Sequence, residues 1–315
     1  MEINFDNNSS RRKWIKQVLP LTLVSLLAPV GLANSVTIDQ LPVSKLNLKL
    51  SLNAYSFNAP LMKQELSLHQ LFDFCATEGF QAVDLTAYYL SGYPHVPEGS
   101  YLHEVKRDAH RYGLHISGTG VRNDFTHLSY DRRKSEIQLV KDWVVAASKI
   151  GAPVLRVFSG TQKVDPADRE RVWDWMVADF KECAAFGGEH GVIVALQNHN
   201  DFIQTADEVN QVMEQVASPW FGLVLDIGSY PQDNPYEGIA KNIQHAVNWQ
   251  IKEQVNHFGE QKSVDLKQLM AIISASKYQG YLPIETLGPG DPSQKITTFL
   301  SQVRSALKTS GIGPG

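Results

Sequence analysis

Four hydrophobic runs in this chain each end on a polar, oxygen-bearing side chain. They are Val192-Ile-Val-Ala-Leu-Gln197, Phe221-Gly-Leu-Val-Leu-Asp226, Ala246-Val-Asn-Trp-Gln250 and Gly280-Tyr-Leu-Pro-Ile-Glu285. Each reads as a short buried strand. If the strand ends converge, two carboxylates and two amides meet, and such a centre could hold a divalent metal and a sugar. Side chains two apart on a strand share a direction. His199 therefore follows Gln197, and Lys252 follows Gln250, into the same space. Arg156, in Leu155-Arg-Val-Phe158, and Asp84, in Val83-Asp-Leu85, are further inward candidates.

Each of these residues also has a plainer reading. A lone histidine is often structural, and His199 gains interest only from its place at a strand end. An inward Lys252 needs an anionic partner, which Asp226 or a substrate oxygen would supply. Arg156 could simply pair with Asp84. Phe57, Tyr88 and Tyr89 fall in loops after strands, where aromatic rings could stack on sugar C–H faces or pack together. His257 is a weaker candidate.

The elements that must position these groups alternate along the chain. Strands are expected at Leu46–Leu52, Gln81–Thr86, Leu114–Thr119, Ala152–Phe158, Val192–Gln197, Phe221–Asp226, Ala246–Lys252 and Gly280–Thr286. Helices are expected between them, near Ser67–Glu78, Tyr101–Tyr112, Asp131–Ile150, Asp165–His190, Thr205–Val216, Tyr236–Gln244 and Val264–Ser276, with a last one starting at Asp291-Pro292. Ser67 with Gln70, and Thr205 with Glu208, have the spacing of a capping box. Gly79, Gly113, Gly151, Gly191 and Gly280 stand just before strands, where a helix must end and the chain reverse. Eight such units predict an α/β fold, a single-domain (β/α)8 TIM barrel over residues 46–309, with its site where strands meet the following loops. An open doubly wound sheet is the alternative, but Ser51-Leu-Asn-Ala-Tyr-Ser-Phe57 is no glycine-rich phosphate loop.

Ser10-Arg11-Arg12-Lys13-Trp14-Ile15-Lys16, followed by an apolar stretch and Gly31-Leu32-Ala33, reads as a twin-arginine export signal over residues 1–33, cleaved after Ala33. That predicts a periplasmic or otherwise exported protein. The stretch contains Pro20, Pro29 and Gly31 and is shorter than the roughly 20 residues of a span, so no stable membrane anchor is expected. Residues 34–45 are expected to form an N-terminal arm and 310–315 a flexible tail. The net charge of −4 without a basic block argues against nucleic acid as partner. Residues 1–33 carry four positive charges and two negative ones, so what remains is more acidic still. Cys75 and Cys183 have no metal-ligand spacing around them and read as buried thiols, although an oxidising compartment would also permit a disulfide.

Several of these segments resemble the xylose isomerase-like family of sugar isomerases and epimerases. They are Gly79-Phe-Gln-Ala-Val-Asp84, Gly151-Ala-Pro-Val-Leu-Arg156-Val-Phe, Gly191-Val-Ile-Val-Ala-Leu-Gln197-Asn-His199 and Gly280-Tyr-Leu-Pro-Ile-Glu285. Each motif is weak alone, and their order and spacing carry the resemblance. It implies one divalent metal held by Glu, Asp, His and Glu at the ends of strands five to eight. The matching residues here are Gln197, Asp226, Gln250 and Glu285, so two of the four depart from the pattern. An all-oxygen set would suit Mn²⁺ best, or Mg²⁺ or Ca²⁺, rather than Zn²⁺. With neutral amides the metal would be held less tightly, or be absent.

The resemblance also implies carbon-acid chemistry on a sugar or keto-sugar: isomerisation, or elimination or hydration of an oxidised glycoside. Glu285 is then the candidate base, with His199 or Lys252 as second proton carrier. Gln197 cannot accept a proton, so symmetric two-carboxylate epimerisation is not expected. The metal or Lys252 would stabilise the enediolate oxygen, while Arg156, Asp84, Asn198, Tyr88 and Phe57 would contact the small carbohydrate substrate. A non-catalytic sugar-binding barrel that has lost its metal is the alternative. A DNA-repair endonuclease of the same superfamily is a third reading, opposed by the acidic balance and the missing histidine ligands.

Overall fold

The hydrophobic runs of the sequence become the staves of a closed parallel barrel in the computed structural model, which describes residues 46–231, 234–276 and 278–312. The strands are β1 (Leu48–Asn53), β2 (Ala82–Asp84), β3 (His115–Gly120), β4 (Val154–Val157), β5 (Ile193–Gln197), β6 (Phe221–Asp226), β7 (Ala246–Lys252), β8 (Gln254–His257), β9 (Glu260–Ser263) and β10 (Gly280–Glu285). The barrel order is β1-β10-β7-β6-β5-β4-β3-β2, while β8 and β9 pair as a separate antiparallel hairpin. The expected export signal and N-terminal arm lie outside the described residues, as does the tail beyond Ile312.

The helices are α1 (Asn58–Met62), α2 (Leu68–Thr77), α3 (Gly99–Arg111), α4 (Tyr130–Ile150), α5 (Arg169–Glu189), α6 (Ala206–Val216), α7 (Pro235–Asn242), α8 (Leu266–Ser276) and α9 (Pro292–Thr309). Both capping boxes form: Ser67 with Gln70 opens α2, and Thr205 with Glu208 opens α6. Asp291 accepts from Ser293 N and caps α9, with Pro292 in its first turn. Gly151 ends α4 at φ 79°, a left-handed conformation that glycine takes without a Cβ penalty.

The elements depart from the expected ones in several places: α1 is an additional short helix, and β2 and β4 are shorter than their apolar runs. A short 3-10 turn at Pro166–Asp168 precedes α5, so the expected helix over 165–190 begins as two pieces. The hairpin of β8 and β9 was not expected. Gln254, Asn256, Glu260, Gln261, Lys262 and Ser263 leave the pair without a regular apolar face, and the only buried side chain in it is Val255.

The main core lies between barrel and helices, where Trp143, Trp249, Phe180 and Leu223 are fully buried. Cys75 and Cys183 are free thiols within it. Inside the barrel the filling changes along its length. Val154, Ala195 and Val224 form a small apolar cluster. They stand two residues before Arg156, Gln197 and Asp226 on the same faces of β4, β5 and β6, and so plug the barrel beneath those polar groups. Elsewhere the interior is polar. Ser51 Oγ and Ser117 Oγ meet at 2.7 Å, and Asn248 Nδ2 donates to Asp84 Oδ2 at 2.8 Å.

Candidate functional site

The four strand-end residues come together. Register places Asp226 opposite Gln250 and Glu285 opposite Lys252, with Gln197 on the neighbouring strand. Gln197, Asp226, Gln250 and Glu285 are all buried. Gln197 Nε2 donates to Asp226 Oδ2 at 2.8 Å and to Gln250 Oε1 at 2.7 Å. Lys252 Nζ stands between the two carboxylates, 2.6 Å from Asp226 Oδ2 and 3.3 Å from Glu285 Oε2. Gly228 makes room for the lysine stem, because a Cβ there would lie 3.0 Å from Lys252 Cδ.

Burial and charge act against each other in this cluster. Burial alone would raise the Asp226 carboxyl, but the Lys252 ammonium outweighs it and holds it below the usual range. Burial alone would lower Lys252, but Asp226 and Glu285 together push it above its ordinary value, so the ammonium stays charged. Glu285 is raised, first by burial and then by Asp226, with Lys252 opposing. A buried carboxylate raised in this way is a better proton acceptor than an ordinary glutamate.

A cavity of about 500 Å³ opens above the cluster, within the range of small-molecule sites. Gln197, Gln250, Lys252 and Glu285 lie in its floor, and Arg156, His199 and Tyr88 in its walls. Arg156 is buried; it donates to Val121 O at 2.6 Å and to Tyr88 Oη at 2.8 Å, and its guanidinium lies 4.0 Å from the Phe158 ring centroid. Gly120 allows this, since a Cβ there would fall 2.7 Å from Arg156 Nε. His199 packs at 4.6 Å on Phe158 with its outer side open to solvent. Desolvation lowers its pKa, aided by Lys252, Arg156 and Arg122 and opposed by Asp226, which favours the neutral imidazole.

Other expected contacts lie elsewhere. Phe57 turns away from the cavity and packs edge-on against Phe74 in the core at 5.1 Å. Asn198 is buried and clamps β5 to β6, donating to Asp226 O at 2.8 Å and accepting from Asp226 N at 2.9 Å. Asp84 lies in the barrel interior, with Asn248 as its hydrogen-bond partner rather than Arg156. Burial raises its carboxyl to about 6. Tyr89 donates to Asn58 Oδ1 at 3.0 Å, and His257 sits on the β8 strand of the hairpin opposite Glu260.

Several cavity residues were missed in the sequence. Asn53 ends β1 and Tyr55 follows it, while Arg122, Asn123 and Asp124 follow β3. β3 ends on Gly120 and Val121 follows it, so it lacks the terminal polar residue that marked the other strands. Arg122 lies over the Tyr88 ring at 4.3 Å. Among the described residues neither Arg122 nor Arg156 has a carboxylate within ion-pair distance. Asp124 is already engaged: Thr126 N and Thr161 N each donate to it at 2.9 Å, and Thr126 Oγ1 at 2.6 Å.

The arrangement does not fit a divalent ion. Such an ion needs oxygens at roughly 2.0–2.6 Å, and the point shared by Asp226 and Glu285 is held by the Lys252 ammonium. Asp226 Oδ2 accepts from Gln197, Lys252 and Ser229, which occupies that oxygen fully, and Oδ1 accepts from Gly228 N. Gln197 turns its NH₂ group, not its carbonyl, toward the centre of the cluster. Among the described residues no group of three or more His, Cys, Asp or Glu is gathered as a metal site.

Comparison with known proteins agrees with this architecture. Residues 72–303 match the family described as xylose isomerase-like TIM barrel. No curated protein sequence matches the chain. The 3-keto-D-glucoside 4-epimerase of E. coli superposes with a TM-score of 0.65 at 15% identity, covering 82% of this chain and 100% of that one. The D-psicose 3-epimerase of Clostridium cellulolyticum H10, solved with D-tagatose, gives 0.67 at 16% identity, covering 82% and 99%. The probable 3-DHS dehydratase of Bacillus anthracis gives 0.61 at 13% identity, covering 82% and 98%. Likeness at these identities is likeness of fold.

Proposed function

The chain belongs to the xylose isomerase-like TIM barrel family, and from that premise we propose that it is a sugar-modifying enzyme. It removes a proton from the carbon beside a carbonyl of a sugar or keto-sugar. The observation that carries this reading is Glu285, a buried carboxylate raised above its ordinary pKa in the floor of a sugar-sized cavity, next to a fixed ammonium. The names of the structural neighbours, two sugar epimerases and a dehydratase, support the same class of reaction.

Glu285 takes the proton from the carbon, the C–H electron pair becomes a carbon–carbon double bond, and the carbonyl π pair moves onto its oxygen to give an enediolate. The ammonium of Lys252 and the guanidinium of Arg156 face the cavity and stabilise that oxygen where its charge develops. Neutral His199 is the second proton carrier. Return of the proton to the neighbouring carbon completes an isomerisation, whereas loss of a β-substituent completes an elimination. Gln197 cannot serve as a base, which leaves symmetric two-carboxylate epimerisation unsupported. Arg122 and Arg156 lack carboxylate partners among the described residues, which favours an oxidised sugar that brings its own carboxylate. The twin-arginine pattern at Arg11-Arg12 adds export to the proposal.

Incubation of the purified protein in D₂O with a panel of keto-sugars and oxidised glycosides, followed by NMR, tests this reading. Deuterium entering the carbon beside the carbonyl, or net conversion, is the expected result. A non-catalytic sugar-binding barrel is the second reading, favoured by the engagement of Asp226 Oδ2 by Gln197, Ser229 and Lys252. Binding of panel members without exchange or turnover of any of them would select it.

A further inference from the structure

The resemblance places a divalent ion at the meeting point of four strand ends, and this chain has put a side chain there. We propose that the Lys252 ammonium permanently replaces the metal, so that the centre binds no divalent ion and its working cation is a residue of the chain. The proposal uses the family correspondence of the site and is independent of which sugar reaction it performs.

The changes needed for such a replacement occur together. A lysine at the end of β7 reaches both remaining carboxylates, 2.6 Å from Asp226 and 3.3 Å from Glu285. Gln197 supplies N–H donors where a ligand would need lone pairs, at 2.8 Å from Asp226 Oδ2. Gln250 turns its carbonyl to accept from Gln197 at 2.7 Å. Gly228 clears the path of the lysine stem. A glutamate at 197 would set a third carboxylate against Asp226 and would leave one cation facing three anions. The neutral amide brings the charge of the cluster back toward balance. A dication entering the same point would meet the ammonium at contact distance, and like charges that close in a buried site repel strongly.

The replacement also preserves a function for the cation. An ammonium has three donors. Asp226 and Glu285 take two, and Lys252 borders the cavity. The third N–H is the one available to a substrate oxygen. The protein thereby keeps a positive charge at the position where an oxyanion forms, without depending on metal supply.

Mn²⁺ titration of the full-length purified protein by calorimetry and by electron paramagnetic resonance tests the proposal directly. The wild type is expected to bind no stoichiometric Mn²⁺ and to keep the same melting temperature with Mn²⁺ or with chelator. Lys252→Met removes the charge while keeping much of the stem. It should gain Mn²⁺ affinity by at least about tenfold, and Lys252→Met with Gln197→Glu should gain more. One equivalent of tightly bound Mn²⁺ in the wild type, lost in Asp226→Asn, overturns the proposal. If Lys252→Met does not fold, the wild-type titration still decides. Because these readouts involve no sugar, a failure to find the carbonyl chemistry leaves the result intact, and the reverse holds as well.

Discussion

Gln197 donates its side-chain amide to Asp226, Nε2 to Oδ2 at 2.8 Å, deep in the barrel mouth. Both side chains are buried. The pair is therefore a donor facing an acceptor. Gln197→Glu replaces the donor by a second carboxylate and also strips Gln250 Oε1 of its partner. We expect it to cost about 2 kcal/mol or more at neutral pH, read as a lower melting temperature. Unchanged stability would show that the amide is not needed as a donor.

Glu285→Gln keeps the size of the side chain and removes its ability to accept a proton. Turnover on the true substrate should fall by about 10²- to 10⁴-fold, while substrate affinity should change far less. Steady-state kinetics beside a direct binding measurement would separate the two. Wild-type-like turnover eliminates Glu285 as the base.

The position of Arg156 depends on a missing side chain. Gly120→Ala would set a Cβ 2.7 Å from Arg156 Nε, and the guanidinium is held on the other side by Val121 O and Tyr88 Oη. The expected result is a stability loss of about 1–3 kcal/mol and weaker binding of carboxylate-bearing sugars than of neutral ones. Arg156→Lys should show the same selective loss of binding, because an ammonium cannot reproduce the planar fork. Equal effects on acidic and neutral ligands would count against an anionic substrate.

Asp201 gives a prediction in pH. Its Oδ1 accepts from the Ser159 hydroxyl and from Ile203 N, but Oδ2 is buried without a hydrogen-bond partner. Burial raises its carboxyl to about 6. The unfolded value is near 4, so this group's contribution to stability is fully present below that pH. It is lost as pH rises through about 6. Asp201→Asn should abolish this dependence and stabilise the protein at pH 7 by on the order of 2 kcal/mol. Thermal melts of both proteins from pH 4 to 8 would check it, and parallel curves would refute it.

Strand ends were legible because a buried parallel strand is a run of apolar residues that stops where the chain emerges. Phe221–Asp226 and Ala246–Lys252 match the observed strands residue for residue, Gln197 ends its strand as expected, and the last strand stops at Glu285, one residue before the expected Thr286. The β8–β9 hairpin carried no such signal, because its residues are polar and largely exposed. Arg122 and Asp124 were hidden because β3 closes on glycine, and the significance of that glycine is the guanidinium that β4 sends across it. The loop position of Phe57 pointed to the mouth, but packing with Phe74 takes it into the core.

The amino-acid order by itself determined the eight-fold alternation, the barrel class and the residues that would meet at its mouth, because periodicity and helix caps are local properties of the chain. Only the folded barrel decided what those residues do to one another. Residues 26 and 33 positions from Lys252, Asp226 and Glu285, become its partners across β6 and β10. Side-chain reach and barrel register together put an ammonium, rather than an open ligand cage, between the carboxylates. The sequence could name Asp226 as a partner for an inward lysine, but no spacing along the chain encodes the second contact to Glu285, since it depends on register and side-chain reach in three dimensions.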